Sequence, residues 1–135
     1  MLLTAISDRL KIFIQRMQTS YPGIKMEVQE NIKTDHLLPP SQAFHLFQVA
    51  KESVINALKH SGCKEIIVVV EGNETWKIIV NDDGKGIDLN NLKTSGEGGN
   101  GIFNMRMRAA EAGWKIDWVN HVAAGTSVIV SPTTN

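Results

Sequence analysis

Phe47-Gln48-Val49-Ala50-Lys51-Glu52-Ser53-Val54-Ile55-Asn56-Ala57-Leu58-Lys59-His60-Ser61 is the stretch on which the reading of this chain turns. Its apolar residues recur at helical spacing, and Phe44, Phe47, Ala50, Val54, Ile55 and Leu58 mark the expected core side. Glu52, Asn56 and His60 stand four residues apart, with Lys59 beside them. Each four-residue step turns a helix by only about 40°, so these polar groups form one stripe roughly opposite Val54 and Ala50. A carboxylate, a carboxamide, an ammonium and an imidazole in line can hold a hydrated Mg²⁺ and its phosphates, because Mg²⁺ keeps several waters and takes hard oxygen ligands. The same stripe on its own also suits a solvated helix face.

Upstream, Pro39-Pro40-Ser41 opens this helix, with Ser41 as the expected N-cap. Leu3, Ile6, Leu10, Phe13, Ile14 and Met17 predict an amphipathic first helix over about Leu2 to Thr19, stopped by Tyr21-Pro22-Gly23. Ile24, Met26 and Val28 alternate with polar residues and predict a half-buried strand, and Asn31 to Pro40 reads as a connection. Downstream, Lys64 to Glu71 and Trp76 to Val80 flank the turn Gly72-Asn73-Glu74 and read as a β-hairpin. Asn81 to Asn100 is rich in Gly, Asp and Asn and lacks periodicity, as expected of a long loop that is either a functional lid or a disordered segment. Ile102, Met105, Ala109 and Ala112 mark a third helix ending at Gly113. Trp114, Ile116 and Trp118, then Thr126 to Val130, give two last strands around a turn at His121 to Gly125. The order α β α β β α β β points to an α+β fold: a two-layer sandwich with helices on one face of a mixed sheet, not a doubly wound one.

The chain has 135 residues, which is one domain's worth, and residues 1–135 are read as a single unit. With 42% hydrophobic and 21% charged residues it matches an ordinary globular domain. Lys+Arg and Asp+Glu are both 14, so no basic excess marks a nucleic-acid binder. Cys63 is the one cysteine, which fits a reducing cytoplasm. No apolar run approaches the roughly 20 residues of a membrane span, so no membrane contact is expected of this domain. The start, with Asp8, Arg9 and Lys11 close behind, does not read as a signal peptide.

Three further features carry possible chemistry. Asp82-Asp83-Gly84-Lys85-Gly86 follows a strand. A carboxylate there can accept a hydrogen bond from an exocyclic amine such as adenine N6, while the glycines let the backbone turn around a ring. It can equally be an acidic turn. It is not an EF-hand, whose ligand series is longer and ends in Glu. Gly96-Glu97-Gly98-Gly99-Asn100-Gly101 runs into the third helix, where free N–H groups and the dipole favour phosphate. No Gly-Lys-Ser/Thr follows, so it is not a P-loop. Arg106 and Arg108 lie on that helix. Gly125-Thr126 opens the last strand, where Thr126 can reach a water or Asp82.

Taken together, Glu52-x-x-x-Asn56-x-x-Lys59-His60, Asp82-x-Gly84-x-Gly86, Gly99-x-Gly101 and Gly125-Thr126 resemble the N, G1, G2 and G3 boxes of the Bergerat-fold ATPases. The wording from Phe47 to Ser61 and from Gly99 to Ala109 is similar to sensor histidine kinases of the nitrate-sensor and desaturase-thermosensor type. The resemblance covers the chain to about Pro132. It implies that Asn56 ligates Mg²⁺ and that Glu52 sits near the metal and the γ-phosphate of ATP. It implies Lys59 and His60 at the phosphates or ribose, Asp82 on the adenine amine, and Gly84 and Gly86 around the ring. Ser95 to Gly101 would be a lid hinged at Gly99 and Gly101, and Thr126 would support Asp82. The family's phosphoacceptor histidine lies on a separate dimerising hairpin, which His36, His45, His60 and His121 do not resemble. The implied partners are that phosphoacceptor domain of the same protein and, downstream, a response regulator. The isolated domain is expected to be a cytoplasmic monomer with little activity alone. The first helix is either the end of the dimerising region or integral to the domain. A stand-alone serine kinase of the anti-sigma-factor type, and a degenerate module without chemistry, are the competing readings.

Overall fold

Alternation decides which side of each strand is covered. The computed structural model describes residues 1–60, 62–85, 100–121 and 125–133, with the side chains of 60, 100–104 and 108 outside that description. In chain order the elements are α1 (Leu3–Ser20), β1 (Lys25–Ile32), α2 (Pro40–His60), β2 (Glu65–Gly72), β3 (Trp76–Asp82), α3 (Asn100–Ala112), β4 (Trp114–Asn120) and β5 (Thr126–Pro132). The strands form one five-stranded sheet in the order β1-β2-β3-β5-β4. β1 and β2 run parallel across the α2 crossover, and the other pairs are antiparallel. This is the expected α+β architecture.

Cross-strand register stacks the alternate residues into rows on one face. Val68 pairs with Val80, Val80 with Val128, and Val128 with Trp118. The next row runs Val70, Ile78, Val130 and Ile116. These residues are buried or nearly so under the helices. α1 sends Leu3, Ile6, Leu10, Phe13 and Ile14 into the same core, so it is integral to the domain. α3 is tied to α2 by Gln42 Nε2, which donates to the Ala112 carbonyl at 2.8 Å, and by the Ser53 hydroxyl, 3.7 Å from Met105 Sδ.

Three sequence expectations change. α2 begins at Pro40, where proline's missing N–H costs nothing in a first turn, so Ser41 lies inside the helix rather than capping it. β1 continues to Ile32 because parallel pairing with β2 carries on to Gly72. On α2, Leu46 and Val49 are fully buried while Phe44 is 59% exposed, so the packed arc is rotated from the one the sequence suggested.

Candidate functional site

The last residue of β3 is the one carboxylate on that strand's helix-facing side. Asp82 has the same parity as Trp76, Ile78 and Val80, and its row runs Ile66, Asp82, Thr126, Asn120 at one end of the sheet. Asp82 is partly buried, and its Oδ1 accepts the Gly84 N–H at 2.8 Å. That bond makes the strand turn on its own side chain, the Asx geometry expected of Asp two residues before a Gly. Gly84 is buried at the turn.

Thr126 is buried opposite Asp82, but its hydroxyl donates to Asn120 Oδ1 at 2.9 Å, not to the Asp82 carboxylate. All three residues share one row, and the neighbouring amide oxygen accepts the hydrogen bond. The residue that does press on Asp82 is Gly125. Its φ is +101°, and a Cβ there would overlap the Asp82 carbonyl oxygen. Only glycine fits both conditions.

Asp83 is a feature that sequence reasoning missed. Its Oδ1 accepts the backbone N–H groups of Lys64 at 2.8 Å and Glu65 at 3.0 Å. These bonds, Lys64 first, hold its carboxyl below the usual carboxylate range. They also fasten the chain leaving α2 to the turn after Asp82. The C-terminal end of α2 and the end of β3 therefore meet at one edge of the domain. A second polar chain, Asn81–Ser127–His121, lies on the opposite face of the sheet and belongs to no predicted site.

The orientation of the helices completes the edge. Gln42 meets Ala112 and Ser53 meets Met105, so α2 and α3 run antiparallel. About one turn past Ser53 on α2 lies Asn56, with Lys59 nearly a turn further on; one turn before Met105 on α3 lies Gly101. The positive end of the α3 dipole thus points toward the Asn56 turn. Glu52 and Asn56 are partly exposed and Lys59 is exposed, all available to a ligand; His60 ends the helix. Gly86 and Gly99, with the lid expected from Ser95, lie outside the described residues. Arg106 stacks on Trp118 at 5.1 Å from the ring centre, which ties α3 to β4.

Among the described residues no three His, Cys, Asp or Glu side chains gather as metal ligands. Glu52 and Asn56 together offer hard oxygen donors one turn apart. That set suits a cation that keeps its waters and takes its other ligands from phosphate, as Mg²⁺ does, and does not suit zinc.

Residues 41–135 match the family described as histidine kinase-, DNA gyrase B- and HSP90-like ATPases. The chain belongs to that family. Among the relatives of this ATPase-family domain, the nitrate/nitrite sensor protein NarX of Escherichia coli (strain K12) is 31% identical over 133 residues. That alignment covers 86% of this chain and 22% of NarX. The histidine-protein kinase/phosphatase DegS of Bacillus subtilis (strain 168) is 35% identical over 99 residues, which is 71% of this chain and 25% of DegS. The sensor protein VraS of Staphylococcus saprophyticus is 30% identical over 132 residues, covering 97% of this chain and 36% of VraS. The chain spans well under half the length of each. The ATP binding domain of PrrB from Mycobacterium tuberculosis superposes with a TM-score of 0.75 at 15% identity, over 96% of this chain and 95% of that one. The histidine kinase AdeS of Acinetobacter baumannii gives 0.75 at 14% identity, over 98% and 64%. The ATPase-family domain thus shares their fold.

Proposed function

We propose that this domain binds Mg·ATP and presents the γ-phosphate to a histidine on a separate dimerisation domain of the same protein, as the catalytic part of a sensor histidine kinase. The observation that carries this reading is the shared edge: the Glu52–Asn56 face of α2, the N-terminus of α3 and the Asp82 end of β3. Family membership and the sensor kinases among the relatives support it.

Asp82, turned toward the helical layer and steadied by Gly84 and Gly125, accepts the adenine amino group. Gly84 and Gly86 shape the ring pocket, and Thr126 holds the row beside Asp82. The α3 N-terminus at Gly101, with Gly99, Lys59 and His60, receives the phosphates through N–H groups and positive charge. Asn56 holds the metal through its amide oxygen, and Glu52 orients the water around it and the acceptor group. Bound Mg²⁺ supplies charge neutralisation on the triphosphate. Catalysis is then mainly positioning and charge stabilisation. The acceptor histidine belongs to the partner domain, so this domain alone binds ATP and turns over little, as a cytoplasmic monomer. A response regulator receives the phosphoryl group in the next step.

Titration with a fluorescent ATP analogue tests the reading. Binding should be saturable, competed by ATP, weakened by Asp82→Asn and made less Mg²⁺-dependent by Asn56→Ala. Added dimerisation hairpin should then become phosphorylated on histidine. Absence of binding at millimolar ATP overturns it in favour of a module without chemistry; transfer to serine favours the anti-sigma-factor type of kinase.

A further inference from the structure

The flank of α2 away from Asn56 faces α1 across a groove. One half is lined by Arg9, Ile12, Phe13, Arg16, Phe47 and Lys51. The other continues past Phe47 to Phe44 and Pro40. The two depressions measure about 200 and 230 Å³. Each is below the roughly 300–1,000 Å³ of small-molecule pockets, so they suit protruding side chains better than a cofactor. The floor is aromatic, with Phe13 and Phe47 edge to face at 6.5 Å. The shoulders are apolar and open: Ile12 is 51% and Phe44 59% exposed.

Three cations rim this surface. Lys51 Nζ lies 5.5 Å from the Phe13 ring centre and 5.3 Å from that of Phe47. Among the described residues, no carboxylate lies within ion-pair distance of Arg9, Arg16 or Lys51; Asp8 and Glu30 pair with Lys11 instead. In a chain of zero net charge this is a local excess of positive charge.

We propose that the α1–α2 groove docks an amphipathic protein helix whose apolar side chains are flanked by carboxylates. Helix-in-groove recognition needs apolar anchors at i, i+3/i+4 and i+7 over an apolar surface; Phe13 and Phe47 supply its floor and Ile12 and Phe44 its shoulders. The cations set the partner's charge and register. A second copy of this chain docking by the same face would set cation against cation. A flat anionic membrane would meet Ile12 and Phe44 but not the recessed Phe13, which is 9% exposed. Lys51 and Glu52 are adjacent in sequence, so their side chains diverge by about 100° around the helix. Docking therefore leaves the Glu52–Asn56 face open, and the inference does not rest on the nucleotide reading.

The test titrates the full chain against a labelled helical peptide with leucines at i, i+3, i+4 and i+7 flanked by glutamates, and against its lysine-flanked counterpart. Saturable binding of the glutamate peptide, at least about tenfold tighter than the lysine peptide, is expected. The variant combining Arg9→Glu, Arg16→Glu and Lys51→Glu should invert that preference, with circular dichroism checking its fold. Lys51→Gln alone, a milder change, should weaken the glutamate peptide several-fold. Equal affinity for both peptides, or no saturable binding of the glutamate peptide, overturns the proposal. So does binding to phosphatidylserine vesicles without binding to the peptide, or self-association that the charge reversal abolishes.

Discussion

Replacing Gly125 by alanine sets two costs on one residue. The first is the left-handed backbone at φ +101°, about 1–2 kcal/mol for an L-residue. The second is the overlap of the new Cβ with the Asp82 carbonyl oxygen and its peptide unit. Backbone must shift to relieve it, at about 1–3 kcal/mol by analogy with overpacked cores. Together these reach about 2–5 kcal/mol, a large part of the roughly 5–15 kcal/mol of a typical domain. Two other glycines separate the terms. Gly113, at φ +82°, has nothing within 4 Å of a built Cβ, so Gly113→Ala carries the first cost alone. Gly23 has neither a positive φ nor a near neighbour, so Gly23→Ala should be neutral or slightly stabilising. Urea unfolding of the three variants should rank Gly125→Ala below Gly113→Ala and Gly113→Ala below Gly23→Ala. Gly125→Ala should also weaken nucleotide more than Gly113→Ala, because the peptide it displaces carries Asp82. Equal losses of stability at 113 and 125 would refute the tight contact between β5 and Asp82.

Ser7→Ala should raise stability by about 1 kcal/mol in the same assay, because the fully buried Ser7 hydroxyl of α1 has no hydrogen-bond partner among the described residues. Asp83→Asn should lower stability near neutral pH and lose that effect in acid. The folded carboxyl titrates below its unfolded value, so its contribution is present above the usual carboxylate pKa of about 3.9 and fades as pH falls through the depressed one. Urea midpoints across an acid series check this; a gap between the two proteins that persists below both values counts against it. Leu46→Ala should cost about 2–5 kcal/mol and Phe44→Ala under about 0.5, a contrast thermal unfolding resolves directly.

The Leu46 and Phe44 contrast marks where sequence reading ends. Apolar residues occupy most of the circumference of α2, so periodicity announces a helix without saying which arc its neighbours cover. Element order was legible throughout, because strands alternate and Gly113 and Tyr21-Pro22-Gly23 punctuate helices. The box residues were legible through spacing on one helix and at one strand end. Contacts that join distant segments were not. Nothing local in Asp83 points to the N–H groups of Lys64 and Glu65. Nothing local in Thr126 directs its hydroxyl to Asn120 rather than Asp82, because both sit in its row only once β3, β5 and β4 are paired. The need for glycine at 125 likewise arises only when β5 lies on β3.

The most direct measurement follows backbone amide resonances while Mg·ATP is added. Asn56, Lys59, Asp82, Gly84, Gly101 and Thr126 should shift saturably, the pattern should weaken when magnesium is withheld, and Gly23 and the α1–α2 groove should stay in place. Shifts confined to that groove, or none at millimolar ATP, would contradict a nucleotide site at the α2–β3–α3 edge.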